Sequence, residues 1–218
     1  MKPLPAWPRR GLYLITPDEA DTARLLARLR PALAAGPALL QYRNKTAGPA
    51  LRREQAGDVL ALCRAAGIAL VINDDWRLAA ELGADGAHLG EDDGDLAEAR
   101  DRLGPDAILG ASCYNDLSRA ERAAGAGASY LAFGAFFTSG TKPGAGRAEP
   151  ALLRASAALG LPRVAIGGIT PDNAASLVAA GADLVAVIAG VFDTTDPAAA
   201  VRAYRRCFET PSHEPCPE

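Results

Sequence analysis

Residues 38–73 read ALLQYRNKTAGPALRREQAGDVLALCRAAGIALVIN, and the reading of this stretch decides the fold. A short apolar run, Ala38–Gln41, leads into an Ala/Leu/Arg-rich helical pattern over 49–66 and then into a second apolar run, Ala69–Asn73. Short, nearly continuous apolar runs separated by a helix-length segment describe parallel strands joined by a crossover helix. The unit repeats in both directions. Further candidate strands are Leu12–Thr16, Gly86–Leu89, Ile108–Ser112, Tyr130–Gly134, Arg163–Gly167 and Leu184–Ile188. Helical patterns lie near 18–35, 76–83, 95–103, 116–126, 150–159, 171–180 and 197–208. Eight strand–helix units without a break in composition favour a single (β/α)8 TIM barrel over a doubly wound sheet. Gly36, Gly67, Gly83, Gly125 and Gly181 recur where helix C-caps would lead into the next strand. The barrel is expected over 11–209, with an N-terminal extension over 1–10 and a frayed, disordered tail over 210–218 that carries Pro211, Pro215 and Pro217.

A chain of 218 residues is large enough for one full core of this kind. Its formal net charge of -3 argues against a nucleic-acid surface but not against a small anionic ligand, for which local clusters matter more. Cys63, Cys113, Cys207 and Cys216 have neither zinc spacing nor the density of a disulfide framework, so free thiols in a reducing cytosol are expected. No apolar stretch is long enough to span a membrane, and the first ten residues do not read as a signal peptide. A cytoplasmic location is the expectation.

In a TIM barrel, chemistry belongs to the C-terminal ends of the strands and the loops that follow. The second strand ends there with Gln41, Arg43 and Lys45, which share one face by strand alternation. An amide followed by a guanidinium fork and a mobile ammonium describes a site for a polyphosphate, although cations at a strand end also simply seek water. The third strand ends in Asn73-Asp74-Asp75, and the fourth runs into Gly90-Glu91-Asp92-Asp93. Two acidic clusters on adjacent strand ends can hold a hard divalent cation, and few carboxylates completed by substrate phosphates are typical of magnesium. Against this, Asp74 or Asp75 can cap the helix that starts at Trp76, and Asp93 or Asp95 the next one. The sixth strand opens into a loop with Phe136, Phe137, Ser139, Thr141 and Lys142, which can wrap phosphate oxygens, although a Gly-rich linker reads similarly. Gly167 and Gly168 after the seventh strand, and Ile188 and Ala189 at the end of the eighth, stand where this fold repeatedly cradles a phosphate. Thr170 and Pro171 make an ordinary N-cap and first-turn pair. His88 reads as a hydrogen-bonded core histidine, and no cysteine or serine has the partners of a nucleophile.

These motifs, taken in order with Gly110-x-Ser112 and Ile166-Gly167-Gly168-Ile169, resemble the thiamine-phosphate synthase family over roughly residues 11 to 208. The resemblance implies an enzyme that joins an aminopyrimidine diphosphate to a thiazole phosphate and releases pyrophosphate with Mg²⁺ present. It implies that Gln41, Arg43, Lys45, Asn73 and Lys142 bind the pyrimidine diphosphate, that Asp74 and Asp93 ligate magnesium, and that Ser112 lies near the pyrimidine. Ser139, Thr141, Gly168, Ile188 and Ala189 would hold the thiazole phosphate. Arg43, Lys45 and Lys142 would carry the charge of the departing diphosphate, with Ser112 beside the reacting ring. The chain departs from the common pattern at Ser139, Glu91 and Ala189. A related thiazole tautomerase carries a histidine where this chain has Tyr114, and a non-catalytic sensor would not need Lys45 and Lys142, both of which are present. Phosphorylated small molecules are the expected partners, and the sequence is silent on oligomeric state.

Overall fold

The computed structural model describes residues 7–138 and 147–209. Eight parallel strands close in sequence order: β1 (Gly11–Ile15), β2 (Leu39–Tyr42), β3 (Leu70–Asn73), β4 (Gly86–Leu89), β5 (Ile108–Tyr114), β6 (Tyr130–Gly134), β7 (Arg163–Ile166) and β8 (Leu184–Val187), with β8 pairing back to β1. The TIM barrel expected from the alternating pattern is therefore the observed fold. Outside it lie α1 (Thr22–Ala34), α2 (Pro49–Ala66), α3 (Trp76–Leu82), α4 (Leu96–Leu103), α5 (Leu117–Gly125), α6 (Pro150–Ala155), α7 (Pro171–Ala179), α8 (Ala189–Phe192) and α9 (Pro197–Arg206).

Strand alternation sorts the apolar residues into two clusters. Leu12, Leu14, Leu40, Ile72, Leu109, Phe133, Val185 and Val187 face the helices, while Tyr13, Leu39, Val71, Ile108, Tyr130, Val164 and Leu184 fill the barrel. Full burial of each such side chain contributes about 1.5–3 kcal/mol, so the fold rests on this double layer. Described residues of the N-terminal extension join it: the Trp7 ring meets Tyr130 edge-on, with centroids 5.8 Å apart.

Three elements differ from the sequence expectation. The first helix starts at Thr22 rather than near 18, because the Asp21 side chain caps it by accepting from Arg24 N at 3.0 Å and leaves Asp18 and Glu19 free for other partners. The helical pattern over 150–159 splits into α6 and a 3₁₀ turn, Ser156–Leu159, closed by Gly160 in the left-handed region. Four-residue α8 is too short to show periodicity, and only the structure reveals it.

Gly110 makes room for Tyr130, one of two tyrosines buried inside the barrel. A Cβ there would lie 2.0 Å from the Tyr130 ring, which pairs across from it on β6. Gly110→Ala is expected to cost at least about 1–3 kcal/mol by overpacking. A chemical-denaturation midpoint equal to that of the parent, at unchanged slope, would contradict this packing.

Candidate active site

β2 delivers its polar end in an ordered form. Gln41 is buried and points into the barrel, where its Nε2 donates to Tyr13 Oη at 2.7 Å. Arg43 Nη1 reaches Asp18 Oδ1 at 3.0 Å, and the same oxygen accepts from the Lys45 backbone N–H at 2.7 Å. The buried Thr16 hydroxyl donates to the Arg43 carbonyl at 2.7 Å, which fastens this strand end to β1. Asp18 went unrecognised in the sequence because its pattern position looked helical. Only the β1–β2 pairing shows that it holds the two cationic residues in place. Arg52 of α2 joins Arg43, Lys45, Asn73 and Asp74 around a narrow cleft beside them.

Four of the five aspartates after β3 and β4 divide into two pairs with different tasks. Asp75 caps α3 by accepting from Leu78 N at 2.9 Å, and Asp95 caps α4 by accepting from Ala97 N at 2.7 Å. Asp74 and Asp93 take no cap. Asp74 adopts a left-handed backbone, φ 63°, a region that Asp tolerates better than most residues, and its Oδ2 lies 3.2 Å from Lys45 Nζ. Asp93 accepts from Gly90 N at 2.7 Å, and its carboxyl neighbours that of Asp74. Desolvation, joined by that neighbouring carboxyl, holds Asp93 above the usual carboxylate range. No group of three or more His, Cys, Asp or Glu that could hold a metal occurs among the described residues. Two convergent carboxylates that resist joint ionisation nonetheless fit a hard cation whose remaining ligands come from phosphate oxygens and water.

His88 and Ser112 stand on β4 and β5 inside the mouth. His88 Nε2 lies 2.9 Å from Ser112 Oγ, and its Nδ1 lies 2.9 Å from Tyr130 Oη. Burial lowers the His88 pKa to about 4, so the ring is neutral. Tyr114, where a base could have stood, is exposed and receives Arg119 over its ring. Glu91 ion-pairs with Arg119, which gives that departure from the common pattern a structural partner.

Across the mouth, β7 and β8 present Gly167, Gly168, Ile188 and Ala189. Gly167 and Gly168 have φ 102° and 61°, and a Cβ at Gly168 would lie 2.6 Å from the Thr138 carbonyl oxygen. These glycines are therefore required by the approach of the loop after β6, which hydrogen-bonds to β7 through Phe136 N and Phe137 N. Ile188 is the N-cap of α8 and Ala189 its first residue. A Cβ at Gly190 would lie 2.1 Å from Tyr204 Oη, the hydroxyl that donates to the Ile169 carbonyl at 2.8 Å. Thr170 caps α7 ahead of Pro171. Ser139, Thr141 and Lys142 fall outside the described residues.

The structure thus gathers Gln41, Arg43, Lys45, Asn73, Asp74, Asp93 and Ser112 on β2–β5, opposite the glycine-rich ends of β7 and β8. Cys63 and Cys113 are buried free thiols, and burial pushes both pKa values up to about 12, which leaves them inert as nucleophiles. No helix among the described residues is long and apolar enough to cross a membrane.

Comparison with known proteins points the same way. The family described as thiamine monophosphate synthase matches residues 12–191. A thiamine-phosphate synthase of Xanthomonas campestris pv. campestris (strain 8004) is 59% identical over 201 residues, covering 91% of this chain and 96% of that protein. The thiamine-phosphate synthase of Xylella fastidiosa (strain 9a5c) is 56% identical over 207 residues, covering 95% of this chain and 88% of that one. Among solved structures, a thiamine phosphate pyrophosphorylase from Pyrococcus furiosus superposes with a TM-score of 0.81 at 30% identity, over 92% of this chain and 96% of the other.

Proposed function

The chain belongs to the thiamine monophosphate synthase family and is a thiamine-phosphate synthase, a transferase; we propose that its barrel mouth divides that reaction between two half-sites. The reaction condenses 4-amino-2-methyl-5-(diphosphooxymethyl)pyrimidine with 4-methyl-5-(2-phosphooxyethyl)thiazole, giving thiamine phosphate and pyrophosphate. On the β2–β5 side, Gln41, Arg43, Lys45 and Asn73, with Lys142 from the loop after β6, bind the pyrimidine diphosphate, and Ser112 lies beside the ring. On the β7–β8 side, Gly167, Gly168, Ile188 and Ala189, with Ser139 and Thr141, hold the thiazole phosphate. Asp74 and Asp93 would hold Mg²⁺, which when bound supplies positive charge against the diphosphate. The observation that carries this reading is the meeting of Lys45, Asp74 and Asp93 at the adjacent ends of β2, β3 and β4, beside Arg43.

The chemistry asks little of the protein beyond placement and charge. Arg43, Lys45 and Lys142 stabilise the diphosphate as it leaves, when its charge grows. An electron-rich aminopyrimidine can carry positive charge on its methylene, which favours a dissociative step. The thiazole nitrogen attacks without deprotonation, which suits a site whose one described histidine is buried and neutral. Phosphorylated small molecules are the partners in this reading. In this reading the enzyme works in the cytoplasm on small anionic substrates, which the formal net charge of -3 does not oppose.

Both phosphorylated precursors, incubated with the chain and magnesium, are expected to yield thiamine phosphate and pyrophosphate in equal amounts. Failure to form either would overturn the reading. Thr141→Ala is expected to raise the KM for the thiazole phosphate alone, by about 2- to 12-fold, which corresponds to one neutral hydrogen bond of about 0.5–1.5 kcal/mol. An equal rise for the pyrimidine diphosphate would move Thr141 to the other half-site.

A further inference from the structure

A continuous hydrogen-bonded chain crosses the barrel interior and joins two residues of the mouth. It runs from Gln41 to Tyr13 at 2.7 Å, from Tyr13 to Tyr130 at 2.6 Å, from Tyr130 to His88 Nδ1 at 2.9 Å, and from His88 Nε2 to Ser112 at 2.9 Å. Tyr13 and Tyr130 are buried, and burial raises the pKa of both, so each phenol keeps its single proton. Gln41 directs its NH₂ into the chain and occupies the Tyr13 oxygen as acceptor. Each proton has one free direction left. Tyr13 donates to Tyr130, Tyr130 donates to His88 Nδ1, the ring proton therefore sits on Nε2, and Nε2–H donates to Ser112 Oγ. The Ser112 proton has no partner within the chain and is left for the mouth. Gln41 likewise keeps its carbonyl oxygen for the mouth.

We infer that His88, Tyr130 and Tyr13 are positioning residues that set Gln41 as an acceptor and Ser112 as a donor, and so select the donor–acceptor edge of an aminopyrimidine. The inference rests on the synthase reading for the identity of that ring. A 4-aminopyrimidine offers an exocyclic N–H and an adjacent ring nitrogen lone pair, which complements a carbonyl and a hydroxyl proton. The 4-oxo analogue offers the reverse, a carbonyl and a ring N–H, and meets like with like. A site built on buried hydrogen bonds discriminates strongly against such a mismatch. Tyr13, Tyr130 and His88 act through Gln41 and Ser112, so in this proposal their effect is on recognition and not on bond breaking.

Two measurements test it. In substrate-free His213→Gln protein, ¹⁵N-labelled histidine reports His88 alone, and the expected tautomer carries its proton on Nε2. A proton on Nδ1 would reverse every donor in the chain and overturn the proposal. The second measurement is kinetic. Tyr130→Phe should raise the KM for the pyrimidine diphosphate about 2- to 12-fold, the range for one lost hydrogen bond, with kcat and the KM for the thiazole phosphate unchanged. It should also narrow the preference over the 4-oxo analogue. Tyr13→Phe cuts the same chain elsewhere and should reproduce the effect if Tyr130→Phe folds poorly. Added to Ser112→Ala, Tyr130→Phe should cause no further loss, because it acts through His88 and Ser112. Additive losses, or a fall in kcat with unchanged discrimination, would make the tyrosines structural only. The tautomer is read without substrate, so it can fail while thiamine phosphate still forms. Conversely, absence of that product would overturn the synthase reading and leave the tautomer untouched.

Discussion

Asp93→Asn is expected to lower turnover by on the order of 10²–10³-fold, the loss seen when one contact to developing charge is removed. The substitution preserves shape: an Asn Oδ1 can still accept from Gly90 N, where Asp93 now accepts at 2.7 Å, and the cap of α4 belongs to Asp95. What it removes is the charge beside Asp74 and Lys45. If the two carboxylates hold magnesium against the diphosphate, part of the loss should return at high magnesium, because the lesion lies in metal affinity. Binding of the thiazole phosphate should be unaffected, since its residues stand across the mouth on β7 and β8. Turnover measured against magnesium concentration, parent beside variant, decides the matter. Superimposable curves would leave Asp93 as no more than a brace for the loop after β4.

Acidification should destabilise the fold through His88. Burial lowers its pKa to about 4 from an ordinary 6.5, although the nearby Asp74 opposes the shift. Between these values the unfolded chain binds a proton that the folded chain refuses. Stability therefore rises with pH across this window, and falls as pH drops through 6.5, until the loss is complete below about 4. The full difference amounts to about 3 kcal/mol. The hydroxyls bonded to the ring do not share the window, and Asp93, raised beside Asp74, contributes alike to parent and to His88→Gln. Tyr13 and Tyr130 are held protonated far above it, and Ser112 does not titrate. Denaturant unfolding of metal-free protein from pH 7 to 4, compared with His88→Gln, should show a steeper decline in the parent. Parallel profiles would mean that the ring takes up its proton in the folded state.

The barrel was legible because its pattern is local. Each strand is a short apolar run, each crossover helix has its own periodicity, and Gly67 and Gly83 close two of the helices in the left-handed conformation that their sequence positions suggested. Legibility failed where a residue's partner is distant in sequence. Asp18 looked helical, but it is 25 residues from Arg43, and pairing of β1 with β2 brings them together. The aspartates of 74–75 and 93–95 could not be sorted into caps and free carboxylates from their order, since each stands a plausible distance before a helix. Backbone turns decided it: Asp75 and Asp95 face their helix starts, while the left-handed Asp74 meets Asp93 across the gap between β3 and β4.

The same division runs through the site as a whole. Residue types and their alternation on strands determined the fold class, the end of the barrel that carries chemistry, and which polar side chains face inward, because those follow from periodicities of two and 3.6 residues. His88 could be read only as a histidine with some buried partner. That its two nitrogens join Tyr130 and Ser112, and that Tyr130 is 117 residues from Tyr13 yet bonded to it, depends on closure of the sheet. Closure places eight strands from the whole chain around one axis, so neighbours across the interior are set by register and barrel radius. No local pattern in the sequence encodes those distances; packing of the finished barrel does.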